Sequence, residues 1–135
     1  MIKLLIGVKG TGKTKTLIEQ VNAAQEATKG NVVCIEKGTK LRYDINYQVR
    51  LINTEDYLIS DASALEGFVA GILASNNDVT DIFIDSALKI AQDDVAAFDS
   101  FLDKIASVIE KSDVNILITA SLPAESATET MKKYL

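Results

Sequence analysis

Short, continuous apolar runs alternate with segments of helical spacing along most of the chain. The apolar runs cover residues 2–6, 31–36, 82–84 and 116–119. Between them, apolar side chains recur every three or four residues, which places them on one face of a helix. Continuous apolar strands separated by helices are typical of a parallel sheet that is covered on both faces. The pattern therefore predicts an α/β fold, specifically a three-layer α/β/α sandwich with a mainly parallel sheet.

Apolar and polar residues alternate almost without interruption over residues 41–51. The apolar positions are Leu41, Tyr43, Ile45, Tyr47, Val49 and Leu51. A period of two predicts β structure with one covered face. We expect a hairpin or bent ribbon that turns near residues 44–46 and ends in an edge strand over residues 48–53. Its role is either a flap for a substrate or partner, which would cover the bound ligand, or plain edge structure, which we favour.

Capping residues or a proline predict the first residues of three helices. Ser63 and Glu66 form a capping box, which predicts a helix through residue 74. Asp93 or Asp94 is suited to cap the next helix, whose core face is amphipathic. Pro123 suits a first helical turn, so we expect a last helix that runs to about residue 133.

The composition narrows the class of protein. A length of 135 residues with 47% hydrophobic residues fits a single domain, residues 1–135. A net charge of −5 argues against nucleic acid as a partner. The absence of histidine excludes histidine-dependent triads, and a single cysteine, Cys34, excludes an internal disulfide and a cysteine-based zinc cluster. We expect Cys34 to pack as a small apolar residue in its strand.

The first apolar run is too short for a signal peptide or a membrane-spanning helix. We therefore expect a cytoplasmic protein without a membrane segment.

Residues 7–14 carry the most informative motif, a complete G-x-x-x-x-G-K-[ST] pattern between an apolar strand and a helix. Glycines let the backbone approach a phosphate closely, and the loop's N–H groups join the positive end of the helix dipole. The Lys13 ammonium would reach phosphate oxygens, and the Thr14 hydroxyl would bind Mg²⁺. The candidate phosphate-binding residues are Gly7, Val8, Lys9, Gly10, Thr11, Gly12, Lys13, Thr14 and Lys15.

On this motif the chain resembles the P-loop nucleoside triphosphatase superfamily, and overall it is similar to small bacterial ATP-binding proteins. The resemblance implies ATP and Mg²⁺ as ligands. It also implies a second motif, a strand that ends in the Walker B carboxylate, and Asp85 at the end of residues 81–85 matches that carboxylate. Thr14 and Asp85 are the expected metal ligands. The guanine-recognition motif Asn-Lys-x-Asp is absent, which favours ATP over GTP.

The chain departs from the superfamily at one position. Many hydrolytic members carry a glutamate after the Walker B aspartate to orient the attacking water, whereas this chain has Ser86. In the recombinase-like arrangement, Glu36 ends the strand beside the Walker B strand and could replace that glutamate. The expected catalytic residues are therefore Lys13 and Glu36. The alternative is that Glu36 is a solvated residue at a strand end.

The additional-strand class of the superfamily implies a role for Thr119. In that class the strand over residues 115–120 lies between the P-loop strand and the Walker B strand, so its end faces the γ-phosphate. Thr119 would then be a polar sensor that binds the nucleotide. The alternative is a β-branched residue that suits any strand. Arg42 and Arg50 are the only candidate arginine fingers.

Three functions stay open from the sequence. The first is an ATP-binding protein with slow, Mg²⁺-dependent hydrolysis that acts as a switch or motor-type subunit, alone, as a homo-oligomer or with a protein partner. The second is a small nucleoside or metabolite kinase, because the order of motifs is somewhat similar to thymidine kinases, although their Asp-Glu pair and zinc cysteines are missing. The third is a nucleotide-binding module without turnover.

Overall fold

One five-stranded sheet forms the centre of the computed structural model, which describes residues 1–135. In chain order its strands are β1 (Ile2–Gly7), β2 (Asn31–Glu36), β3 (Arg50–Asn53), β4 (Val79–Ile84) and β5 (Asn115–Ser121). Across the sheet they follow the order β1-β5-β4-β2-β3, and every pair of neighbouring strands is parallel. The predicted α/β class with a parallel sheet is confirmed.

The position of β5 confirms the expected strand order. β5 pairs with β1 on one side, where Ile2 is opposite Ile116, and with β4 on the other, where Ile82 is opposite Ile116. β1 and β4 therefore do not touch, as the additional-strand arrangement requires. Because all five strands run in the same direction, the carboxyl ends of β1, β5, β4 and β2 meet at one edge of the sheet.

Five α-helices connect or follow the strands. They are α1 (Lys13–Ala27), α2 (Ala62–Ser75), α3 (Ala87–Ile90), α4 (Val95–Ile109) and α5 (Glu129–Lys132), and two short 3₁₀ turns cover Thr54–Tyr57 and Ala124–Ser126. None of these helices is both long enough and apolar enough to cross a membrane.

The helix ends differ in part from the prediction. Asp94 caps α4 as predicted, since its carboxylate accepts from the Ala97 N–H. The predicted capping box at Ser63 is wrong, because Asp61 caps α2 and accepts from the Ala64 N–H at 2.7 Å. The long last helix is also wrong, since a 3₁₀ turn follows Pro123 and α5 has a single turn.

Alternate side chains of the strands enter two separate cores, one on each face of the sheet. The larger core joins the sheet to α2, α4 and α5, and the smaller core joins it to α1. This arrangement is compatible with the expected three-layer sandwich. Cys34 lies fully buried in the smaller core, as expected, and burial raises the pKa of its thiol far above its usual value.

The hairpin or ribbon predicted for residues 41–49 is wrong. These residues form consecutive turns, in which the N–H groups of Asp44 and Ile45 donate to the Leu41 carbonyl, and strand β3 begins only at Arg50. Burial follows a period of four, so that Leu41, Ile45 and Val49 pack in the smaller core with α1. Tyr43 and Tyr47, which a period of two would also bury, are 84% and 92% exposed. Only the edge strand was predicted correctly.

The turn structure makes a prediction that the ribbon would not. Ile45→Ala should lower the free energy of unfolding by about 2–5 kcal/mol, because it leaves a cavity between the turns and α1. Tyr47→Ala, two residues away, should change it by no more than about 0.5 kcal/mol. Urea unfolding of both variants measures the difference. Equal losses of unfolding free energy at the two positions would indicate that burial follows a period of two after all.

Candidate functional site

A cavity of about 550 Å³ lies at the carboxyl edge of the sheet. Its walls are the loop before α1 and the first turn of that helix, the ends of β2 and β5, and the segment from β4 into α3. Nine of the residues predicted from sequence line it: Lys9, Gly10, Gly12, Lys13, Thr14, Lys15, Glu36, Asp85 and Thr119. The strand order thus brings together groups that are up to 110 positions apart in sequence, Lys9 and Thr119 among them.

The loop offers a row of unused hydrogen-bond donors. Gly10 and Gly12 have positive φ angles of 87° and 86°, and a Cβ on either would meet no protein atom within 4 Å. Neither glycine is therefore needed for packing. None of the N–H groups of residues 10–15 donates to a protein acceptor; the first helical bond runs from Thr16 to Gly12. Free N–H groups at a helix start fit an anion such as phosphate.

Gly7, Val8 and Thr11, which do not line the cavity, hold the loop in shape. The Lys13 ammonium donates to the carbonyl oxygens of Gly7 at 2.8 Å and Val8 at 3.0 Å. The Thr11 hydroxyl donates to the Val8 carbonyl at 2.8 Å. These contacts fold the loop back over the end of β1 and keep the Lys13 charge at the cavity wall.

Asp85 is the centre of a polar network at the end of β4. It is buried, and its Oδ1 atom accepts a hydrogen bond from the Thr119 hydroxyl at 2.7 Å. The Thr14 hydroxyl lies 3.3 and 3.4 Å from the two carboxylate oxygens. Thr119 in turn accepts from the Ser86 N–H at 2.8 Å. Thr119 therefore orients Asp85 directly, a contact that the sequence alone did not indicate.

Glu36 is buried, at 3% exposure, so the alternative of a solvated strand-end residue is wrong. Its Oε1 atom accepts from the N–H groups of Lys40 at 3.0 Å and Leu41 at 3.3 Å. Burial raises the pKa of Glu36, and the negative charge of Asp85 adds to the effect, while the two backbone N–H groups and the Lys40 charge oppose it. Glu36 lines the cavity and also anchors the loop that follows β2.

Lysines dominate the charge of the cavity. Six of the chain's 14 lysines and arginines line it, against three carboxylates, although the whole chain has a net charge of −5. The sequence alone did not indicate Lys37, Lys40 and Lys89, because only the pairing of β2 with β4 brings the segments that carry them to one cavity. Arg42 and Arg50 do not line the cavity and instead donate to the hydroxyls of Tyr43 and Tyr57.

The donor set fits Mg²⁺ held by few protein ligands. No group of three or more His, Cys, Asp or Glu side chains is arranged to hold a metal ion. Thr14 and Asp85 offer one hydroxyl and one carboxylate side by side. Mg²⁺ keeps several waters and commonly binds through one or two carboxylates plus substrate phosphates, so these two residues suit it better than a metal that needs a full protein cage.

No family model and no curated protein sequence matches the chain. The function of the chain is therefore inferred from the geometry of the site.

The burial of Glu36 makes a pH-dependent prediction. A carboxyl group with a raised folded-state pKa stabilises the fold below its unfolded pKa, near 4.5, and that contribution is lost as the pH rises through the folded pKa. Glu36→Gln cannot ionise. The difference in free energy of unfolding, variant minus parent protein, should therefore increase from pH 4.5 to neutral pH. Urea unfolding of both proteins at several pH values measures this difference. A difference that stays constant or falls would contradict a raised pKa.

Proposed function

We propose that this chain is a P-loop nucleoside triphosphatase of the additional-strand, recombinase-like class, which binds ATP with Mg²⁺ and hydrolyses it slowly. The observation that carries the proposal is the contact between Thr14, from the glycine-rich loop, and Asp85, from the end of β4. Two motifs 71 positions apart meet there beside a row of free N–H groups. A chance match to a glycine-rich turn would not bring a buried carboxylate to that hydroxyl.

Each residue has a distinct task in binding. The N–H groups of residues 10–15 would donate to phosphate oxygens, and Lys13 would add a charge-assisted hydrogen bond. Thr14 and Asp85 would hold Mg²⁺, with Asp85 kept in place by Thr119. The metal ion supplies positive charge that neutralises phosphate oxygens.

Glu36 is the proposed residue for activating water. An ionised carboxylate has about four acceptor sites, and the Lys40 and Leu41 N–H groups use part of that capacity. The remainder can accept a proton of a water molecule in the cavity. A raised pKa makes the carboxylate a stronger base. Turnover should be slow, because the backbone contacts restrict Glu36 and Ser86 stands at the position where a glutamate is usual.

A kinase is the second candidate, and the lysines outside the loop favour it. Lys37, Lys40 and Lys89 line the cavity but do not belong to the phosphate-binding motif.

Incubating the protein with ATP, Mg²⁺ and a panel of nucleosides separates the three candidate functions. Free phosphate supports hydrolysis, a phosphorylated acceptor supports the kinase, and tight binding with neither product supports a module without turnover.

Lys13→Ala should weaken ATP binding about ten- to hundred-fold. A hydrogen bond to a charged group contributes about 1.5–3 kcal/mol, which corresponds to that loss of affinity. Calorimetric titration with ATP and Mg²⁺ measures it, and Lys111→Ala, an exposed lysine away from the cavity, is the matched control. Equal affinity of the Lys13 variant and the parent protein would exclude the loop as the nucleotide site.

Asp85→Asn and Glu36→Gln should have different effects on ATP binding and turnover. The first should weaken Mg²⁺-dependent ATP binding and turnover together, because it removes a charge from the metal site. The second should leave ATP affinity within about two-fold and lower the single-turnover rate, the result expected when an interaction forms mainly in the transition state. The two variants are compared by calorimetry and rapid-quench assays. Unchanged turnover in Glu36→Gln would exclude Glu36 as the base, whereas tight ATP binding without turnover in the parent protein would favour the module without turnover.

A further inference from the structure

Three cavity lysines have no role in the proposed nucleotide site. Lys37 follows the last residue of β2, Lys40 lies in the same loop, and Lys89 lies in α3. The ion pairs of the protein use Lys104, Lys132 and Lys133 instead. The ammonium groups of the three cavity lysines make no hydrogen bond to the protein, so all of their donors are available to a ligand.

Lys37 is attached to a different part of the cavity wall from the phosphate-binding loop. β5 and β4 separate β1 from β2, so the ends of those two strands are three strand spacings apart, or about 14 Å. A phosphate in hydrogen-bond contact with residues 10–15 is held at the end of β1, at the start of α1. The backbone of Lys37 is therefore attached far from that phosphate.

The loop that carries two of the lysines is held in a defined position. The buried Glu36 carboxylate accepts from the N–H groups of Lys40 and Leu41. The Leu41 side chain is 4% exposed and packs in the smaller core beside α1. Lys37 and Lys40 thus extend from a loop that is fixed at both ends, and the site is built into the fold.

The chemistry of the cavity favours phosphate as the group that is bound. Six lysines outnumber three carboxylates in the cavity lining, and such an excess of positive charge attracts anions and raises their local concentration. The cavity has no arginine, the side chain that matches planar carboxylates in pairs of hydrogen bonds, whereas lysine is a compact charge that commonly binds phosphate. Leu41 and Leu88 are its only apolar lining residues, so the ligand is polar over most of its surface.

We infer that Lys37, Lys40 and Lys89 form a second phosphate subsite, which holds a small phosphorylated molecule beside the nucleotide in the same cavity. The position beside a nucleotide rests on the proposed function, whereas the subsite itself rests on the three lysines. Glu36 and Asp85 line the same cavity, so the second ligand would share it with both carboxylates.

The test uses inorganic phosphate as the probe. The protein is first saturated with a non-hydrolysable ATP analogue and Mg²⁺, which fills the loop site, and phosphate binding is then followed by ³¹P NMR. The double variant Lys37→Ala/Lys40→Ala should bind phosphate at least about ten-fold more weakly, while its affinity for the analogue changes less than about three-fold. Lys89→Ala should also weaken phosphate binding.

The matched control is Lys29→Ala/Lys111→Ala, which removes two exposed lysines away from the cavity and should bind phosphate like the parent protein. The inference is overturned if the saturated parent protein binds no phosphate. It is also overturned if the Lys37/Lys40 variant loses affinity for the analogue and for phosphate alike, because the lysines then serve the nucleotide.

A failure of the proposed function gives a different result. If the parent protein does not bind the analogue, phosphate is titrated into the protein alone. Phosphate binding that requires Lys37 and Lys40 but not Lys13 would support the subsite without a nucleotide. Phosphate binding that requires only Lys13, or none of these lysines, would overturn it.

Discussion

The buried carboxylate of Asp85 is the constraint on which the rest of the site depends. A charged group away from water is costly unless it has hydrogen-bond partners, and Asp85 finds them on two other elements, in Thr14 of α1 and Thr119 of β5. Thr119 can reach it only because β5 lies next to β4. The same order separates β1 from β4 by one strand, and the cavity is lined by residues at the ends of β4, β5 and β2 and by the loop.

A second carboxylate gives the site its electrostatic character. Glu36 and Asp85 lie at the ends of neighbouring strands, where burial raises the pKa of Glu36 and the negative charge of Asp85 raises it further. The lysines around them balance this negative charge and leave the cavity positive in an acidic chain. Such a site attracts anionic ligands while it keeps a basic carboxylate close to them, which suits the handling of phosphate groups.

The segment after β2 links the site to the smaller core. Glu36 holds the beginning of the segment through backbone N–H groups, and Leu41, Ile45 and Val49 fix the remainder against α1. The alternating pattern was misleading because tyrosine suits a covered strand face but also serves on a turn surface, where the hydroxyl of Tyr43 accepts from Arg42. The same residues also contain a four-residue apolar period, Leu41, Ile45 and Val49. Packing against α1 favours this period over the period of two.

The sequence by itself determined the local parts of this protein. The five strand regions, helix α1, the Asp94 cap and the glycine-rich loop all follow from periodicity, capping chemistry and backbone freedom, which act over a few residues. Even the strand order was predicted, although only through resemblance. Tertiary structure decided the burial of Glu36, the hydrogen bond from Thr119 to Asp85 and the position of Lys37, Lys40 and Lys89 in the same cavity as the loop. These features depend on which strands are neighbours and which side chains lose water, and both are set by packing between segments far apart in the chain.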